Sequence, residues 1–158
     1  MDFSLNKGIY CLIIRLFQEQ KIPIGKLGTY HFPTGFYVYI GSAQNNLNHR
    51  IERHLSKTKN NRWHIDYLLH YGKITTICSY AGGKSLECMM GRKVGALEGA
   101  ILPVKGFGSS DCSCDSHLYF FRNNPGNAIV SLKSKFAMPE CKHYNANRKH
   151  SERKAKEV

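Results

Sequence analysis

Two runs of the chain, Gly8 to Leu16 and Gly35 to Gly41, are aromatic, β-branched and apolar at consecutive positions, with polar residues only at their margins. A strand of that kind has no side to turn toward water, so the first run reads as a strand covered on both faces or nearly so, and the second as a short strand between two glycines with a turn at Gly41-Ser42. Covering layers are available. Leu47, Ile51 and Leu55 recur at helical spacing and predict an amphipathic helix with Arg50, Arg53, His54 and Lys57 on its flanks. A second helical stretch runs over 62–70, with Ile65, Leu68 and Leu69 inward and Gly72 past its end. Residues 73–80 alternate as a strand. Ser85 reads as the N-cap of a third helix that reaches about Leu97 and turns Leu86, Met89, Met90 and Val94 inward. Residues 117–121 predict a last strand, and Asn124-Pro125 opens a short helix.

Between the first two runs, residues 21–32 hold Pro23, Gly25 and Gly28 among Ile22, Ile24, Leu27 and Tyr30, which fits an edge strand or irregular hairpin. The order of elements therefore predicts an α/β (α+β) domain, with a small, mixed, mostly antiparallel central sheet flanked by helices. At 158 residues one domain is expected, over 1–140, followed by a basic tail over 141–158.

Charge narrows the partner. Lys and Arg number 23 against 11 Asp and Glu, a formal net charge of +12, and 42% of residues are hydrophobic. That apolar fraction excludes disorder throughout, and the longest apolar run ends at Arg15, far short of the roughly 20 residues a membrane span needs. Nucleic acid leads the candidate partners, ahead of an anionic membrane surface or an acidic protein. The start has no basic and apolar leader, so a cytoplasmic location is expected, where cysteines are thiols, metal ligands or core residues rather than disulfides. Cys11, Cys78, Cys88 and Cys141 are widely scattered, and Cys112 and Cys114 are the one close pair.

Gly8-Ile9-Tyr10 lies on the first strand, and Tyr39-Ile40-Gly41 with Ser42-Ala43 on the third. Arg50 and His54 then stand four apart on the basic helix, and Glu87 falls in the first turn of the later one. In this order and context the residues resemble the GIY-YIG nuclease superfamily, from Gly8 to about Phe121. The match is closest to a branch of unassigned function whose members carry segments like Trp63-His64-Ile65-Asp66-Tyr67-Leu68-Leu69 and Gly106-Phe107-Gly108-Ser109-Ser110-Asp111-Cys112-Ser113-Cys114.

The resemblance implies a divalent-metal-dependent endonuclease acting on nucleic acid, DNA first, with Mg²⁺ or Mn²⁺ as cofactor. Glu87 would be the metal ligand, a hard carboxylate donor that suits Mg²⁺. Arg50 would grip the scissile phosphate through its forked guanidinium. Tyr10 is favoured as the base, with Tyr39 and His54 as alternatives; a phenol of ordinary pKa about 10 must be shifted or must only orient the water. Ser42, Arg53, Lys57, Lys59 and Arg62 would supply further nucleic-acid contacts. The alternative is a catalytically silent DNA- or RNA-binding module of the same fold.

The chain departs from the superfamily in several ways. Its hairpin over 18–35 is longer, an extra residue falls near Gln44-Asn45-Asn46, and Ser42 stands where repair-type members carry lysine. No second domain is present to choose a site, so a protein partner for specificity is an option. Zinc is not expected: Cys112-x-Cys114 with His117, and Cys141 or His143 as remaining donors, has too short a cysteine spacing. Trp63 reads as a packing residue and His64 as its polar neighbour.

Overall fold

The computed structural model describes residues 2–57, 60–132 and 139–144. Five strands, β1 (Gly8–Leu16), β4 (Gly35–Ala43), β5 (Lys73–Tyr80), β6 (Leu118–Phe121) and β7 (Glu140–His143), form one sheet in the order β6-β4-β1-β5-β7. Every neighbouring pair in it is antiparallel. The first apolar run is thus the central strand, as a run without a polar face requires. Strands β2 (Gln20–Pro23) and β3 (Thr29–Phe32) make a separate hairpin closed by a 3-10 turn over Gly25–Leu27.

Both faces of the sheet are buried, and side chains divide between them by strand alternation. Tyr10, Leu12, Ile14 and Leu16 pack with Leu47 and Ile51 of α1 (Leu47–Leu55), Ile65 and Leu68 of α2 (His64–Leu69), and Ile22 and Phe32 of the hairpin. On the other face Ile9, Cys11, Ile13, Val38 and Ile40 meet Met90 and Val94 of α3 (Ser85–Gly95) and Ile129 of α4 (Gly126–Ser131). The mixed α+β architecture with a mostly antiparallel sheet agrees with the sequence reading.

Four details differ. In α1 the buried positions are Leu47, Ile51 and His54, whereas Leu55 is exposed. The inner stripe therefore runs at i, i+4 and i+7, and a histidine takes the last place because it has a partner in the core. In α3 the N-cap is Lys84 rather than Ser85, and Met89 is exposed. Strand β7 carries the sheet past the boundary expected at 140, in a segment read as polar tail; it is an edge strand with no buried residue, so hydrophobic patterning does not reveal it. Finally, Cys78 and Cys141 face each other across the β5–β7 pair and form a disulfide, correcting the expectation of thiols. Residues 145–158 of the expected tail lie outside the described residues, and among those described no helix is long and apolar enough to cross a membrane.

Candidate active site and an adjoining cysteine cluster

The β1–β4 register sets Tyr10 opposite Gly41 and Leu12 opposite Tyr39, so the two tripeptide motifs are antiparallel neighbours. A side chain at Gly41 would put its Cβ 2.6 Å from the Tyr10 ring. Glycine there is what lets the phenol pack this close to β4. Tyr10 is buried, and its hydroxyl makes a 2.7 Å hydrogen bond with Nε2 of the buried His54. Burial pushes the Tyr10 phenol well above its ordinary pKa, while the adjacent Arg50 guanidinium pulls it down.

Above this pair opens a cleft of about 470 Å³, lined among others by Tyr39, Ser42, Arg50, Arg62, Trp63 and Glu87. Tyr39 is the motif tyrosine that reaches it. Burial, and after it the neighbouring Tyr10 and Glu87, raises the Tyr39 phenol well above its ordinary value. Arg50 donates from Nη1 to the Ser42 carbonyl at 3.0 Å and lies over the Trp63 ring with Cζ 4.5 Å from its centroid. Trp63 is a platform for two more guanidinium groups, those of Arg53 at 4.3 Å and Arg62 at 5.1 Å. Three guanidinium groups thus share one indole, and two of them, Arg50 and Arg62, stand on the cleft wall.

These arginines are not equivalent. Arg53 forms a two-pronged ion pair with the buried Asp66, both contacts 2.9 Å, and donates to the Asn60 carbonyl. Arg50 and Arg62 line the cleft and Arg53 does not. Of the other expected contacts, Ser42 is on the cleft wall, Lys57 is exposed just beyond α1, and Lys59 lies outside the described residues.

Glu87 enters from the first turn of α3 with its side chain 12% exposed. Burial raises its carboxyl above the usual range, and nearby Asp111 adds to the rise; Lys84, Ser42 and Arg50 oppose it. Asp111 pairs with Lys84 at 2.8 Å on the rim. A desolvated carboxylate with a second acid close by is a setting in which a cation relieves repulsion, so the donor set fits a hard divalent ion.

The opposite wall is the loop after α3. His64 of α2 accepts a 2.9 Å hydrogen bond from the Gly108 backbone N–H. Gly108 has φ +68°, and Tyr39 Cε1 lies 3.0 Å from where a Cβ would stand, so backbone shape and packing both call for glycine. His64, read as a polar neighbour, thus ties this wall to α2.

Behind Glu87 lies a group that sequence spacing did not assemble. Cys88, Cys112, Cys114 and His117 place one ligand atom each within 4.8 Å of one another, so they could hold a metal ion. Cys88, the residue after Glu87, supplies the donor that was sought at Cys141 or His143. Cys141 is in the disulfide, and His143 bonds Thr76 instead. His117 is fully buried, with Nδ1 3.9 Å from Glu87 Oε1.

Of the site residues expected from sequence, the structure brings seven together, in two tiers. Tyr39, Ser42, Arg50, Arg62 and Glu87 line one cleft, and Tyr10 and His54 are coupled beneath it. No curated protein and no solved structure matches the chain. A family model described as a domain of unknown function, DUF123, matches residues 9–138, a span that contains the whole cleft and the cysteine cluster. With most of its length covered by that match, the chain belongs to the DUF123 family.

Proposed function

We propose that this chain is a divalent-metal-dependent endonuclease that hydrolyses nucleic-acid phosphodiesters, DNA before RNA. The observation that carries the reading is the convergence of Tyr39, Arg50 and Glu87 on one cleft above the Tyr10–His54 hydrogen bond. The GIY-YIG resemblance of the sequence supports the same chemistry. Glu87 would hold Mg²⁺ or Mn²⁺, which when bound supplies positive charge at the phosphate and the nucleophile.

The protein's own groups divide the remaining work. Arg50, held by the Ser42 carbonyl and Trp63, offers its outward N–H groups to a phosphate oxygen where negative charge develops. Arg62 holds a neighbouring phosphate. Tyr39 faces the cleft, so it is the phenol that hydrogen-bonds the attacking water. Its raised pKa keeps it protonated at neutral pH, and its role is to orient that water. Tyr10 is too deeply buried to be the base and acts from below, holding His54 and bearing on Arg50.

Incubation with plasmid, single-stranded and junction DNA plus Mg²⁺ or Mn²⁺ tests the proposal. Cleavage is expected to stop with EDTA and to fall by about 100-fold or more in Glu87→Gln, with DNA affinity kept. Tyr39→Phe is expected to slow cleavage more than Tyr10→Phe. If no substrate is cut, or Glu87→Gln cuts at the wild-type rate, the enzymatic reading fails. Salt-sensitive binding without cutting would then leave the silent binding module.

A further inference from the structure

The stretch between α3 and β6, residues 96–117, has no helix or strand of its own, yet it supplies Gly108, Ser110 and Asp111 to the cleft. Loops of that length inside a compact domain are uncommon unless something holds them. Part of the holding is visible: Phe107 is fully buried, Gly106 N–H donates to the Asp115 carbonyl at 2.6 Å, and His117 N–H donates to Phe107 at 2.8 Å. These bonds close the loop on itself. They do not tie it to α3.

We propose that Cys88, Cys112, Cys114 and Nε2 of His117 form a closed structural zinc site that fastens this loop to α3. His117 Nε2 lies 3.6 Å from Cys112 Sγ and 3.8 Å from Cys88 Sγ. Tetrahedral zinc, with bonds of about 2.3 Å to sulfur and 2.0–2.1 Å to nitrogen, sets neighbouring donors roughly 3.5–3.8 Å apart. Two donor pairs are thus already at ligand spacing, all four donors lie within 4.8 Å of one another, and the three cysteines are free of disulfides. Three thiolates and an imidazole favour zinc over the hard cations that a carboxylate cleft takes. Four protein donors leave no open position, the mark of a structural site. Nε2 faces the cysteines while Nδ1 of His117 lies 3.9 Å from Glu87 Oε1, so the site adjoins the cleft while remaining distinct from it.

This inference does not rest on the nuclease reading, and its measurements involve no cleavage. Elemental analysis of the full chain, purified without chelator, is expected to give about one zinc per chain. Exchange for Co²⁺ should give the visible bands of a tetrahedral site and a thiolate-to-cobalt charge-transfer band. Both signals should be lost in Cys114→Ser and Cys88→Ser and kept in the Cys78→Ser, Cys141→Ser double variant. Stripping the metal from the wild-type chain should speed amide exchange across 106–117 and leave β1 and β4 protected. A chain that binds neither metal stoichiometrically, that carries iron instead, or whose Cys114→Ser variant keeps full zinc and the charge-transfer band, overturns the site. Unchanged exchange in the loop after stripping overturns its fastening role.

Discussion

Tyr10 and Gly41 meet face to face across β1 and β4, and the contact shows how a motif glycine can be a packing residue. The Tyr10 ring cannot swing away from an added methyl, because its hydroxyl is tied to His54 and its ring lies in the core. Gly41→Ala is therefore expected to cost about 1–3 kcal/mol, the usual penalty for overpacking a filled core. Urea unfolding at neutral pH measures it; a loss under about 0.5 kcal/mol, the usual range for surface changes, would show that the ring has room to move. The two motifs, Arg50 and Glu87 are legible in the sequence because short patterns on strands and helices carry them. Cys88 is not, because its partners lie 24 to 29 residues away and only the loop's return path brings them together. His54 is half legible: its distance from Arg50 is a helical turn, but its burial depends on a hydroxyl from another strand.

At the scale of elements, α1 and α2 are joined by one buried carboxylate. Asp66, fully buried, accepts from the Arg53 fork and from the backbone N–H groups of Arg62 and Trp63, which caps the start of α2. Burial by itself would raise the Asp66 carboxyl, but these four donated bonds outweigh it and hold the group below its ordinary value. Its folded pKa is thus depressed. The stability it contributes is present above the unfolded pKa and is lost as pH falls through the folded one. Asp66→Ala leaves Arg53 half-buried without its partner and is expected to cost about 3–5 kcal/mol at neutral pH. Urea midpoints from pH 7 down to 2 would show the difference between wild type and variant shrinking toward acid. A gap that stays constant over that range would mean the carboxylate's charge is not what joins the helices. The helices themselves are readable from apolar spacing, and the Asp66 link is not, since nothing in periodicity says which basic residue on α1 turns inward. Strand β7 escaped for the opposite reason: Glu-Cys-Lys-His has no apolar pattern, and its place comes from pairing with β5 and from the disulfide.

For the molecule as a whole, a net charge of +12 favours an anionic partner without saying which cations would meet it. Structure divides the basic cluster of α1 and α2 into two kinds. Arg53 is engaged by Asp66, whereas Arg50 and Arg62 present guanidinium groups to the cleft. Binding to duplex DNA releases counterions in proportion to the phosphates neutralised, so log K falls against log salt with a slope of about −0.9 per phosphate. Replacing Arg50 and Arg62 together by Gln should make that slope shallower by about 2, uniformly across DNA sequences, with folding stability little changed. Arg53→Gln should do the reverse: it breaks the pair with a buried carboxylate, so it lowers the unfolding midpoint while the folded fraction binds with the wild-type slope. Fluorescence anisotropy with a labelled duplex from 50 to roughly 300 mM salt, with no Mg²⁺ or Mn²⁺ added so that nothing is cut, separates the two. A slope that drops for Arg53→Gln, or stays put for the Arg50, Arg62 double variant, would mean that DNA meets a different face of the protein, and that the cleft is not where its backbone lies.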